Sequence, residues 1–184
     1  MFGQFFRSLR RARQMDPLHV TMTGVRMGER FVQIGCDDPA LLSGLAAKVG
    51  LSGASAVAVF EEADAERARR AAARIGALID VRVVTPENLP FETADMVVVD
   101  DTRGSFARMP DQARKAVLTG TRRLLRDGGR IEVVERVALT GFLGGAVTRP
   151  DGYSVEALLA EAGFRPVRLL AEKAGIRFVE GLKG

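Results

Sequence analysis

Residues 30–49, RFVQIGCDDPALLSGLAAKV, constrain this chain more than any other stretch. Phe31, Val32 and Ile34 form a short apolar run ending on Gly35, the pattern of a buried parallel strand. Cys36, Asp37 and Asp38 leave room only for a tight turn. Asp38 is then placed to cap a helix and Pro39 to occupy its first position. Leu41, Leu42, Leu45 and Val49 make one apolar stripe along that helix. Strand, tight turn and helix form the opening unit of a nucleoside-binding sheet. The helix N-terminus there offers free N–H groups at the carboxyl edge of the strand. The same residues also fit an ordinary strand–helix joint that binds nothing.

The rest of the chain repeats that alternation. Residues 56–60 read as a second strand ending in Glu61-Glu62, and Ala65, Ala68, Ala72 and Ile75 mark the next helix. An acid at the end of a second strand can accept both hydroxyls of a ribose. An acidic first turn that complements the helix dipole is the competing reading. Glu62 and Asp64 could fill that role while Glu61 faces a ligand. Residues 81–84 form a third strand, followed by a loop with two prolines, Thr85-Pro86-Glu87-Asn88-Leu89-Pro90-Phe91. Residues 96–99 form a fourth strand ending in Asp100-Asp101, of which one can cap the next segment and the other face the crevice. A pair of carboxylates there suits proton transfer.

Ala113, Ala116, Val117, Gly120 and Leu124 mark a further helix, and residues 126–129 turn into a fifth strand at 131–134. The glycine-rich stretch 140–146 suits a substrate loop, and it lacks the Lys-Ser/Thr that would make it a phosphate loop. Ser154 caps a last helix that Gly163 ends. Residues 166–170 and 176–179 then close the chain as an antiparallel hairpin.

Composition narrows the options. One cysteine excludes an internal disulfide, and one histidine disfavours a His/Cys metal site, so no metal is expected. No apolar run reaches the roughly 20 residues of a membrane span, and no secretory signal is legible; a cytoplasmic location is the default. The net charge of +4 is too mild to mark a nucleic-acid binder. Residues 1–13 place Phe2, Phe5, Phe6 and Leu9 on one helical stripe with arginines largely off it. Three dispositions fit: a lid or brace on the domain, a homodimer contact, or a peripheral rest on an anionic membrane. His19, the only imidazole, is either a packing residue or a base near neutral pH. Residues 1–27 are accordingly read as a helical lid or brace, and residues 28–184 as one domain.

This layout resembles that of the class I S-adenosylmethionine-dependent methyltransferases. The resemblance spans roughly residues 28–181 and rests on four motifs: Phe31-Val32-Gln33-Ile34-Gly35-Cys36, Glu87-Asn88-Leu89-Pro90-Phe91, Leu124-Leu125-Arg126-Asp127-Gly128-Gly129-Arg130-Ile131 and Ala162-Gly163-Phe164. It implies an α/β fold: a Rossmann-like, doubly wound, mostly parallel seven-stranded sheet with an antiparallel C-terminal edge hairpin. Within that family the chain looks closest to small-molecule enzymes, including those of quinone biosynthesis.

By that resemblance, S-adenosylmethionine is the cofactor. Gly35, Cys36 and Asp37 would meet its methionine part, Glu61 or Glu62 its ribose, and Thr85, Pro86 and Glu87 its adenine rim. Asp100 would face the reacting centre, with Asp101 or His19 taking a proton from a small apolar or aromatic acceptor. The glycine loop is degenerate: Gln33 replaces an acid, and Asp37 and Pro39 replace glycines. Asp37 would bring a carboxylate close to the amino-acid end of the cofactor. A methyltransferase-like binding or interaction module that has lost normal cofactor seating is therefore the alternative. The missing Asn/Asp-Pro-Pro-aromatic motif argues against base methylation, and the missing G-x-G-x-x-G turn argues against an NAD enzyme.

Overall fold

A computed structural model of the chain describes residues 17–137 and 149–184. The apolar run after Arg30 forms β1 (Arg30–Ile34), and the stripe after Asp38 forms α2 (Pro39–Val49). A short helix, α1 (Pro17–Met22), precedes them. Next come β2 (Ala54–Val59), α3 (Glu62–Ile75), β3 (Ile79–Val83), β4 (Ala94–Asp101) and α4 (Asp111–Leu124). The chain ends with β5 (Leu125–Arg136), α5 (Val155–Glu161), β6 (Val167–Lys173) and β7 (Ile176–Leu182).

The seven strands make one sheet in the order β3-β2-β1-β4-β5-β7-β6. β3 to β5 are parallel, while β7 runs antiparallel to both β5 and β6. The edge hairpin turns on Ala174 and Gly175, both with positive φ (51° and 73°), as a two-residue turn between right-twisted strands requires. The Rossmann-like, doubly wound α/β architecture expected from the sequence is present.

Each face of the sheet has its own core. On one face Phe31, Val57, Val59, Met96, Val98 and Phe178 meet Leu41, Leu45 and Val49 of α2 and the alanines of α3. On the other, Val32, Val97, Val99, Ile131 and Val133 meet Val117, Leu118 and Leu124 of α4 and Leu159 of α5. Leu41, Leu42 and Leu45 are wholly buried, and burial of each stabilises by roughly 1.5–3 kcal/mol. The sheet's centre is therefore rigid, and the turns at the carboxyl ends of β1, β2 and β4 start from fixed points.

Several local expectations are corrected. β2 and β3 begin earlier than their apolar runs suggest, because pairing to β1 recruits Ala54 and pairing to β2 recruits Ile79. Residues 126–129 belong to β5 as an irregular stretch, with the register shifting between the Ala94 and Met96 pairings. In α1, where the sequence would put Leu18, Met22 and Val25 on one side, the inward side is His19 and Val20, continued by Thr23 and Val25, while Leu18 faces out. Ile75 is exposed, and Ala71 takes its place in the core. No helix joins β3 to β4. The face of β2 and β3 left open there carries Ala54, Ala56, Asp80 and Arg82, with Asp80 and Arg82 paired at 2.6 Å. The residue 1–13 stripe and the 140–146 loop lie outside the described residues.

Gly53 fixes the α2–β2 joint by close approach. A Cβ there would lie 2.4 Å from Glu29 O and 2.6 Å from Val49 Cγ1. Gly53→Ala should cost roughly 1–3 kcal/mol in urea unfolding, because backbone must shift. Gly76→Ala, at φ 65° and ψ 23° with nothing within 4 Å, should lose only about 1 kcal/mol from its left-handed conformation. Equal losses would show that crowding at Gly53 is not what holds the joint.

Candidate functional site

The turn after β1 is drawn tight by backbone bonds. Gly35 has φ 81°, and a Cβ there would sit 3.1 Å from Asp100 O. Its N–H donates to Ala58 O at 2.8 Å. Asp38 caps α2 through Oδ1, which accepts the Ala40 N–H at 2.8 Å, and Pro39 takes the first helical position. The Cys36 and Asp37 N–H groups donate to no acceptor among the described residues. Two consecutive free N–H groups on a tight turn form an anion-holding concavity.

Two carboxylates clasp this turn to the loop after β4. Asp100, fully buried, accepts the Asp38 N–H at 2.8 Å through Oδ2 and the Thr102 hydroxyl at 2.7 Å through Oδ1. Gln33 supports it, donating from Nε2 to Gly35 O at 2.9 Å. Asp37 reaches the opposite way, and its Oδ2 accepts the N–H groups of Arg103 at 2.7 Å and Ser105 at 3.2 Å. Burial is the main cause that raises the Asp100 carboxyl to about 7; the Asp38 N–H opposes it and the Asp37 charge adds to it.

These contacts revise three expectations. Asp100 does not face an open centre, because its oxygens are engaged in holding two loops together. The Asp37 carboxylate is turned into the seam rather than toward a ligand. The Cys36 side chain lies in the core, where burial pushes its thiol up to about 12, so only its backbone meets the crevice.

Glu61 and Glu62 separate cleanly. Glu62 pairs with Arg69 at 2.5 Å, and Asp64 pairs with Arg67. Glu61, extended at the end of β2 (φ −136°, ψ 147°), is exposed, and its carboxylate has no partner among the described residues. Thr85 and Glu87 are exposed in the turn after β3, where the Asn88 N–H donates to Thr85 O at 3.1 Å; Pro86 between them is half-buried.

The ends of β4 and β5 hold a second group of charges. Asp101 is fully buried; its Oδ1 accepts the Ala107 N–H at 3.0 Å, and its Oδ2 lies 3.5 Å from the Tyr153 hydroxyl. Burial first, and then the Asp37 charge, raise Asp101 to about 6 against the pull of the Ala107 N–H. Tyr153 lies between the guanidiniums of Arg114 and Arg149, 5.4 and 5.5 Å from its ring centroid. Arg149 and Arg177 both pair with the buried Glu135, at 2.8 and 2.9 Å. Sequence reasoning missed Tyr153 and its two arginines as site residues. The usable signal was that Tyr153 is the only tyrosine and stands between the glycine-rich stretch and the cap of the last helix.

His19 is placed differently from the carboxylates. It is buried in the α1 layer, with its ring 5.8 Å from that of Phe178 on β7. A cavity of about 240 Å³ lies at the opposite, amino-terminal ends of the strands, against Val32, Ala56 and Phe91. Among the described residues, no cluster of His, Cys, Asp and Glu could hold a metal, and no helix is long and apolar enough to cross a membrane.

No protein-family model matches the sequence, and no curated protein matches it. Solved structures do match. A SAM-dependent methyltransferase from Aquifex aeolicus superposes with a TM-score of 0.74 at 19% identity, over 95% of this chain and 93% of that one. A SAM-dependent O-methyltransferase from Thermotoga maritima gives a TM-score of 0.65 at 15% identity, over 92% of this chain and 66% of that one. PigF, solved with SAH, gives 0.60 at 18% identity, over 85% of this chain and 51% of that one. The chain has the fold of the S-adenosylmethionine-dependent methyltransferases.

Proposed function

We propose that this chain binds S-adenosylmethionine and transfers its methyl group to a small acceptor with an apolar or aromatic body. The observation that carries the reading is Glu61, an unpaired, exposed carboxylate at the end of β2. It stands on the strand beside the β1 turn, whose Cys36 and Asp37 N–H groups are free among the described residues. A carboxylate suits two ribose hydroxyls, and a pair of N–H groups suits a carboxylate. The substitution of Asp37 for glycine does not block this fit. Its charge is satisfied by the backbone N–H groups of Arg103 and Ser105 and does not stand in the turn.

When bound, the cofactor supplies a sulfonium-activated methyl group for in-line displacement. The chain's own work is then alignment and exclusion of water. Glu61 holds the ribose, the β1 turn holds the amino-acid end, and residues 85–87 border the base. Asp101 receives a proton when the acceptor is a hydroxyl or amine. Because Asp101 is buried behind Tyr153, the proton passes through the Tyr153 hydroxyl, which donates to Asp101 as it accepts from the acceptor. A carboxyl raised to about 6 is a stronger base than an ordinary aspartate and is still mostly ionised at neutral pH.

Calorimetric titration with S-adenosylmethionine and S-adenosylhomocysteine tests the binding step. Micromolar binding is expected, weakened about tenfold or more by Glu61→Ala, a change of roughly 1.4 kcal/mol. Glu62→Ala, which breaks only a surface ion pair, should bind within about twofold of the parent. Absence of heat with both ligands would reject the reading.

The Asp101 assignment predicts a pH dependence of stability. Folding raises the carboxyl from its ordinary value of 3.8 to about 6, so the folded state binds this proton more tightly. Its stabilising contribution is complete below about 4 and is lost as pH rises through 6. Asp101→Asn keeps the Ala107 bond and should remove roughly 2–3 kcal/mol of the stability change between pH 4 and 7. Urea unfolding across that range measures it, and an unchanged slope would place the carboxyl's titration elsewhere.

A further inference from the structure

The rim beside Asp101 carries cations that the mechanism above leaves unused. Arg108 donates from Nη1 to Arg103 O at 2.6 Å, and Arg136 donates from Nε to Thr102 O at 3.2 Å. Two guanidiniums are thus drawn to successive carbonyls of the loop after β4, and Arg103 adds a third from the same loop. Arg103 and Arg108 are exposed and Arg136 is half-buried. None of the three pairs with a carboxylate among the described residues. The nearby acids are already engaged: Asp37 by the Arg103 and Ser105 N–H groups, Asp100 and Asp101 inside the fold, and Glu135 by Arg149 and Arg177. Beyond the described residues the sequence holds a single acid, Asp16. Gathering three like charges around one short loop, two from the loop and one from the end of β5, is unfavourable until an anion joins them, and guanidinium is the group that best matches carboxylate or phosphate.

We propose that the acceptor carries an acidic group, a carboxylate or a phosphate, and that Arg103, Arg108 and Arg136 hold it. The inference rests on the methyl-transfer reading and deepens it. The arginines come from the ends of β4 and β5, where Asp101 and Tyr153 stand, so one molecule can reach both. Its apolar body lies toward Tyr153, its acid lies on the rim, and the group to be methylated lies between. The loop that presents the arginines is held by Asp37, so the anion subsite is positioned before ligand arrives.

The test is a protein-observed NMR titration, following the arginine Nε–Hε signals, with benzoate, phenyl phosphate and the neutral isostere benzamide. Each is added to the full chain with and without S-adenosylhomocysteine. One or both anions should bind at least tenfold tighter than benzamide, and the stronger of the two identifies the acidic group. In the variant R103Q/R108Q/R136Q that preference should fall below twofold, with the melting temperature and S-adenosylhomocysteine binding unchanged. Equal binding of acid and amide, binding of none of the three, or a preference surviving in the triple variant would overturn the proposal. Tighter, steeply salt-dependent binding of a hexauridylate than of either anion would also overturn it, in favour of a nucleic-acid contact. Loss of S-adenosylhomocysteine binding in the parent chain would instead reject the cofactor reading, which the acid-over-amide ratio does not measure.

Discussion

The acceptance of the Asp38 N–H by the buried Asp100 carboxylate is the bond on which the upper edge of this sheet depends. β1 and β4 are neighbours whose helices leave on opposite faces, so their turns diverge and open a crevice. Nothing in strand pairing holds those turns at a set distance. Asp100 does so from one side and Asp37 from the other, each side chain accepting backbone N–H groups of the opposite turn. Burying a carboxylate costs several kcal/mol, and here three short donors offset that cost: Asp38 N–H, Thr102 N–H and Thr102 Oγ1.

One connection of the sheet does without a helix. The β3–β4 connection contains no helix, and the open face of β3 is made compatible with water by the Asp80–Arg82 pair and by Arg82 stacked 5.0 Å over Phe91. Leu89 of the same connection packs on α4, with its Cδ1 3.1 Å from where a Gly120 Cβ would stand. The loop thus replaces a helix with a few anchored side chains, and it leaves Thr85 and Glu87 exposed at the carboxyl edge.

The fold was legible where burial is periodic. The run from Phe31 to Val49 carries strand, cap and stripe in one reading, and the structure repeats it residue by residue. Ser154 as a cap and Asp38 as a cap follow from side-chain chemistry that acts within three residues. The site was less legible because most of its key bonds join residues more than fifty apart. Asp37 and Asp38 look alike in sequence, yet one caps its own helix and the other caps a distant loop. Asp100 and Asp101 are likewise neighbours, and strand alternation sends them to different partners on opposite sides. Glu132 shows the same limit: it lies wholly buried in β5 opposite Glu180, with its carboxyl raised by burial first and then by that neighbour. The sequence Ile-Glu-Val-Val does not reveal that both faces of this strand are covered.

Asp37 sets what the β1 turn is attached to. A glycine would leave the turn and the loop after β4 joined through Asp100 alone. With Asp37 present, the turn also holds the N–H groups of Arg103 and Ser105, so the backbone that would meet a cofactor carries the loop that bears the arginines. A carboxylate here would be costly if it faced a ligand's own carboxylate across a dry crevice. Turned into the seam, it meets backbone donors and leaves the Cys36 and Asp37 N–H groups free of protein acceptors among the described residues. The charge that looks like an obstacle in the sequence therefore acts as a brace. It ties the two sides of the crevice together.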